Sequence, residues 1–121
     1  MHFQLPKIFC FISDYQENYI KRLQKNIAII YRNYNKNINK LEIIKIKSLC
    51  KKTKRKFFLS NNIKLALKLD LDGVYIPSFN KDLKINCFRK KKKFKILGSA
   101  HNIKEIRNKE LQKVNCIFLS P

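Results

Sequence analysis

Six short apolar runs recur along the chain at roughly 20-residue intervals: Ile8–Ile12, Ile27–Tyr31, Phe57–Leu59, Gly73–Ile76, Phe94–Leu97 and Cys116–Leu119. Each is strand length and rich in β-branched or aromatic residues. They are near-continuous rather than alternating, as strands buried on both faces are, and that pattern predicts a parallel sheet. The intervening segments carry helix-start signals. Asp14 with Glu17, Asn39 with Glu42, and Asn102 with Glu105 each set a side-chain cap three residues before a carboxylate. Asn62 is placed to cap a helix through Ile63, Ala66, Leu67 and Leu69, and Ile103, Ile106, Leu111 and Val114 fall near one face of the last helix. Pro77 to Asn80 reads as a loop, and 81–93 as a short or irregular helix. Strand–helix repeats of this kind fold as right-handed βαβ units, either in a doubly wound open sheet or in a barrel. No G-x-G-x-x-G or G-x-x-x-x-G-K-[ST] follows any run, so the phosphate loops of nucleotide-binding open sheets are missing.

The formal net charge is +20, with a sequence pI near 10.1. Such a charge raises a nucleic-acid reading. Lys, Asn and Ile are in excess together while Arg is scarce, as AT-rich codons would produce without selection for charge. The lysines are spread along the chain, densest at Lys51–Lys56 and Arg89–Lys93, and a solvated surface explains them. Weak, salt-sensitive adhesion to polyanions is expected whatever the function. Cys10, Cys50, Cys87 and Cys116 show no C-x-x-C spacing, and His2 and His101 complete no zinc pattern. They read as reduced thiols. With no signal peptide and no run of transmembrane length, a cytoplasmic protein of one domain over residues 1–121 is expected.

The stretch FFLSNNIKLALKLDLDGVYIPSFNKDL, followed by KILGSAHNIKEI and VNCIFLSP, resembles the thiamine phosphate synthase and thiazole tautomerase family. That family has an I-N-D-R-like end to its third strand, then G-A-D-G-V-H-L-G-Q, V-S-x-H-[SN] and A-D-Y-I-x-x-G-P, in the same order and spacing. The resemblance implies an α/β fold of (β/α)₈ TIM-barrel type with its site at the C-terminal strand ends. About six of the eight strands fall within these residues, so an incomplete, truncated barrel is expected. Its open edges would invite self-association. The family joins a pyrimidine pyrophosphate to a thiazole phosphate, with Mg²⁺ assisting departure of pyrophosphate.

Carried over residue by residue, the resemblance keeps some site positions and alters others. Of the second-strand Q-x-R-x-K only Arg32 is retained, a planar fork suited to phosphate; Ile30 and Tyr34 stand for the Gln and Lys. The first metal-binding Asp becomes Asn61. The second aligns with Asn80, while Asp82 lies nearby out of register. Two Asp-to-Asn changes leave poor ligands for Mg²⁺. Ser99 matches a pyrophosphate-proximal Ser, and His101 matches an acid/base position of the tautomerase branch. The bland readings are a strand-end arginine, a loop serine, a loop histidine beside the Asn102 cap, two turn asparagines, and for Tyr75 an interior aromatic. Three functions stay open on the sequence: a synthase-like enzyme with small phosphorylated pyrimidine and thiazole substrates, a metal-independent tautomerase-like or ligand-binding relative, and a basic RNA-associated protein. No specific nucleic-acid or membrane partner is expected.

Overall fold

The computed structural model describes residues 5–34, 37–88 and 93–120; His2, most of the Arg89–Lys93 run and Pro121 lie outside them. Six parallel strands alternate with helices in the order β1 (Ile8–Ile12), α1 (Glu17–Arg22), β2 (Ile27–Tyr31), α2 (Lys40–Lys52), β3 (Phe57–Ser60), α3 (Ile63–Lys68), β4 (Gly73–Ile76), a 3₁₀ segment (Leu83–Cys87), β5 (Lys95–Ala100), α4 (Ile103–Leu111) and β6 (Cys116–Leu119). The sheet order is β1-β2-β3-β4-β5-β6, with every pair parallel. A doubly wound sheet reverses its strand order at a switch point. This one never reverses, and that decides for the barrel architecture.

Curvature follows from the side chains. Phe9 on β1 and Phe118 on β6 lie at opposite ends of the strand order, yet their ring centroids are 5.1 Å apart. The sheet is therefore curled on itself as an incomplete barrel. Along the strands, alternate residues enter two separate cores, as the period of two requires. Ala28, Ile30, Phe58, Tyr75 and Leu97, with Phe9, Cys116 and Phe118, fill the concave side. Ile29, Tyr31, Phe57, Leu59, Val74, Ile76 and Ile96 turn outward against the helices. Tyr75 is thus an interior aromatic.

The helix starts agree with the sequence in three of four cases. The Asn39, Asn62 and Asn102 side chains accept from the backbone N–H groups of Glu42, Leu65 and Glu105 at 3.1, 3.1 and 2.9 Å. Asp14 is not a cap. Gln16 occupies the N-cap of α1 and makes no side-chain cap bond. A distant carboxylate takes over there: Glu42 accepts from Tyr15 N–H at 3.1 Å and from the Tyr31 hydroxyl at 2.6 Å. Burial, and then this contact, pushes the Tyr31 phenol up to about 12. The expected apolar face of α4 is also corrected. Ile103 and Leu111 are 70% and 57% exposed, while Lys109 and Gln112 are fully buried. Their amide and ammonium groups reach the carbonyl of Asn80, each at 2.9 Å. Gly98 allows this, because a β-carbon there would lie 2.7 Å from Lys109 Cδ.

No helix among the described residues is long and apolar enough to cross a membrane. All four cysteines are free thiols. Cys50 lies on the buried face of α2, and desolvation pushes its thiol up to about 12, while Cys87 is exposed. We expect maleimide at neutral pH to modify Cys87 readily in the folded protein. Cys50 should react about a thousandfold more slowly than an ordinary cysteine until denaturant is added. Peptide mass mapping of the labelled sites checks this; early labelling of Cys50 would mean that this face of α2 is not buried as described.

Candidate phosphate-binding cleft

The C-terminal strand ends converge on a cleft of about 330 Å³ lined by Phe11, Arg32, Tyr34, Tyr75, Pro77, Ser78, Phe79, Ser99, His101, Phe118 and Ser120. Its floor is aromatic: Phe11 meets Tyr75 edge-on at 5.2 Å, and Tyr75 stacks on Phe118 at 6.0 Å. Arg32 continues the β1–β2 ladder, its N–H donating to Ile12 O at 2.8 Å. That register turns its side chain to the concave side, where the guanidinium lies 4.1 Å over the Phe11 ring. No carboxylate pairs with it among the described residues. Among the described residues, no Asp or Glu lines the cleft. A guanidinium beside the three serines Ser78, Ser99 and Ser120 suits an oxyanion, and the aromatic walls suit a flat ring.

Arg32, Ser99 and His101 thus share one cleft. Ser99 is buried near the end of β5; His101 follows it, exposed, with Nδ1 3.0 Å from Glu105 Oε1. Asn61 is set apart, in an adjoining recess beyond Tyr34. Tyr34 divides the two: its hydroxyl is 2.9 Å from Ser60 Oγ, and its ring meets Phe79 edge-on at 5.6 Å. Burial raises its phenol above the usual range. Ser78, Ser120 and Phe79 are lining residues that the sequence reading did not select, and Tyr34 entered it only as the replacement for a Lys. A strand-end position was the available signal for Ser120, and the loop after β4 for Ser78 and Phe79.

Asn61 and Asn80 do meet. Asn80 Nδ2 donates to Asn61 Oδ1 at 2.7 Å, and Asn80 Oδ1 accepts from Asp82 N–H at 2.9 Å. Asn61 stands at φ 60°, a left-handed conformation that asparagine tolerates. Asp82 accepts from Lys84 N–H at 2.9 Å and caps the 3₁₀ segment. Both amide oxygens that could face a cation are therefore already engaged. No cluster of three His, Cys, Asp or Glu occurs among the described residues. Mg²⁺ prefers carboxylate oxygens in near-octahedral geometry, and these residues do not fit it.

Fold and cleft together define a protein of the (β/α)-barrel class whose cleft lies where such barrels hold their ligands. A family model described as thiamine monophosphate synthase matches residues 11–121; the chain belongs to that family. It is 34% identical over 86 residues to thiamine-phosphate synthase 1 of Streptococcus pneumoniae, covering 69% of this chain and 40% of that protein. It is 30% identical over 79 residues to thiamine-phosphate synthase of Staphylococcus epidermidis, covering 64% of this chain and 36% of that protein. The matched regions therefore span 40% or less of the curated relatives' length.

Proposed function

We propose that this chain forms the phosphate-gripping part of a thiamine-phosphate-synthase-type site. Its ligands would be the phosphorylated pyrimidine and thiazole that the enzyme joins with release of pyrophosphate. The observation that carries this reading is Arg32, placed over the Phe11 ring with no carboxylate partner among the described residues, in a cleft shared with Ser99 and His101. Family membership supports the same substrate class. Arg32 would bind a phosphate through its guanidinium, with Ser99 as a hydroxyl donor; the aromatic floor would orient the ring and exclude water from one face. A cytoplasmic setting with reduced thiols is part of the proposal. The test is formation of thiamine phosphate from both substrates by the protein carrying this chain. We expect product, and a fall in kcat/KM of about 10- to 100-fold in Arg32→Met, the worth of a charged hydrogen-bonding group. Absence of product with both substrates, with and without Mg²⁺, would sink the synthase reading.

The Asn61–Asn80 hydrogen bond favours a second reading within the family: a metal-independent tautomerase-like or ligand-binding relative in which His101 moves a proton. It predicts thiazole phosphate binding that a chelator leaves unchanged. An RNA-associated role finds less support, because the lysines are spread along the sequence and Arg is scarce beside them.

A further inference from the structure

Three helices start on an asparagine cap, and they treat the third helical residue differently. At α3 that residue is Leu65, and the cap forms without any carboxylate. At α2 it is Glu42, whose carboxylate leaves the helix end for Tyr15 and Tyr31. Only at α4 does the carboxylate turn back. Glu105 Oε1 accepts from His101 N–H at 2.7 Å and lies 3.0 Å from His101 Nδ1. The other two helices show that a cap does not require this return, so the contact with the imidazole needs a reason of its own.

We propose that Glu105 is a positioning residue that fixes His101 as its Nδ1–H tautomer and so presents Nε2 to the cleft as a proton acceptor. An ionised carboxylate can only accept, so at 3.0 Å the proton between the two groups sits on Nδ1. Glu105 is held ionised: the hydrogen bond from the His101 backbone N–H, and then the imidazole itself, place its carboxyl below the usual range. His101 lines the cleft with Arg32, Ser99 and Ser120, while Glu105 stands behind it on α4. Among the described residues, the other charged or titratable groups around the pair are Lys109 on the same helix and Arg32, Tyr34 and Tyr75 lining the same cleft. A proton taken by Nε2 from an O–H or acidic C–H of a ligand would leave an imidazolium paired with Glu105. Return of that proton to the same ligand balances the step with no co-reactant. The proposal rests on the reading of the cleft as a site for a phosphorylated ring.

Long-range ¹H–¹⁵N correlation spectra of the full chain at mildly alkaline pH report the tautomer directly, with His101 told from His2 by a His2→Gln chain. We expect Nδ1 to carry the proton in the parent chain. In Glu105→Gln the ratio should shift five- to tenfold toward Nε2–H, because a neutral oxygen accepts more weakly, while far-UV circular dichroism stays unchanged. A parent spectrum dominated by Nε2–H, or a tautomer ratio unmoved by Glu105→Gln, would overturn the proposal. If that variant fails to fold, the parent spectrum alone decides. Adding thiazole phosphate separates the two claims: an Nδ1–H tautomer whose Nε2 resonance ignores the ligand leaves the pair standing and removes the cleft reading.

Discussion

Gly73→Ala is expected to cost about 3 kcal/mol or more, beyond the middle of the range for overpacked cores. A β-carbon at Gly73 would fall 2.0 Å from the carbonyl oxygen of Lys95 and 2.7 Å from the Phe58 ring. The first contact is backbone and cannot swing away. β4 lies between β3 and β5, with Gly73 opposite Phe58 on one side and Lys95 on the other. Phe58 is fully buried on the concave side and packs edge-on against Phe9 at 5.7 Å. A methyl group must therefore displace both the β5 backbone and the buried Phe58 ring. For a domain of this size the loss corresponds to a fall of about 10 °C or more in Tm. Thermal unfolding followed by circular dichroism checks it. A Tm within about 2 °C of the parent would mean that β4 does not pack this closely between its neighbours.

Arg55→Lys is expected to destabilise nearly as strongly, by about 3 kcal/mol, and Arg55→Met by about 3–5 kcal/mol. The residue sits within a basic run, but it is only 6% exposed. All five N–H donors of its guanidinium are engaged. Nη1 donates to Gln24 O and Ile27 O at 3.0 and 2.8 Å, Nη2 to Ile20 O and Leu23 O at 3.0 and 3.1 Å, and Nε to Thr53 Oγ1 at 3.1 Å. These carbonyls belong to the end of α1 and the turn into β2. Arg55 thereby adds donors to carbonyls around the end of a helix of only six residues and ties that end to the turn before β3. A lysine offers three donors from one point and cannot span them. Its neighbour Lys51 is exposed, so Lys51→Met should change stability by no more than about 0.5 kcal/mol. Guanidinium denaturation of the three variants separates the cases. Equal midpoints for the Arg55 and Lys51 variants would show that Arg55 is merely another surface charge.

Arg55 also marks a limit of reading sequence. Within Lys51–Lys56 nothing local distinguishes the one cation that turns inward; its four carbonyl partners lie 28 to 35 residues away. Lys109 and Gln112 escaped for the same reason. A helical wheel ranks residues by polarity, whereas their burial depends on the space above Gly98 and on an acceptor in the loop after β4. Asp14 looked like a cap by spacing, but its segment is organised by Glu42 from another helix. The strands were legible because burial on both faces leaves near-continuous apolar runs, and all six appear where those runs stand. Local caps were legible when donor and acceptor are three residues apart, as at Asn39, Asn62 and Asn102. For the site, the resemblance located Arg32, Ser99 and His101, which the fold then brings to one cleft. It paired Asn61 with Asn80 as altered metal positions, and the two side chains do touch. Their mutual hydrogen bond could not be read from spacing, since it depends on the close approach of the loops after β3 and β4.

The central claim is that the cleft over Phe11 holds a phosphate through Arg32 without a divalent cation. The most direct measurement is titration of thiazole phosphate into the ¹⁵N-labelled chain at physiological salt, first with a chelator and then with Mg²⁺. The account predicts saturable shifts at the Arg32 side chain, the Ser99 amide and His101. They should be equal under both conditions and weakened about 10- to 100-fold by Arg32→Met. Shifts confined to scattered lysines and abolished by modest salt would contradict it, as would binding that appears only with Mg²⁺.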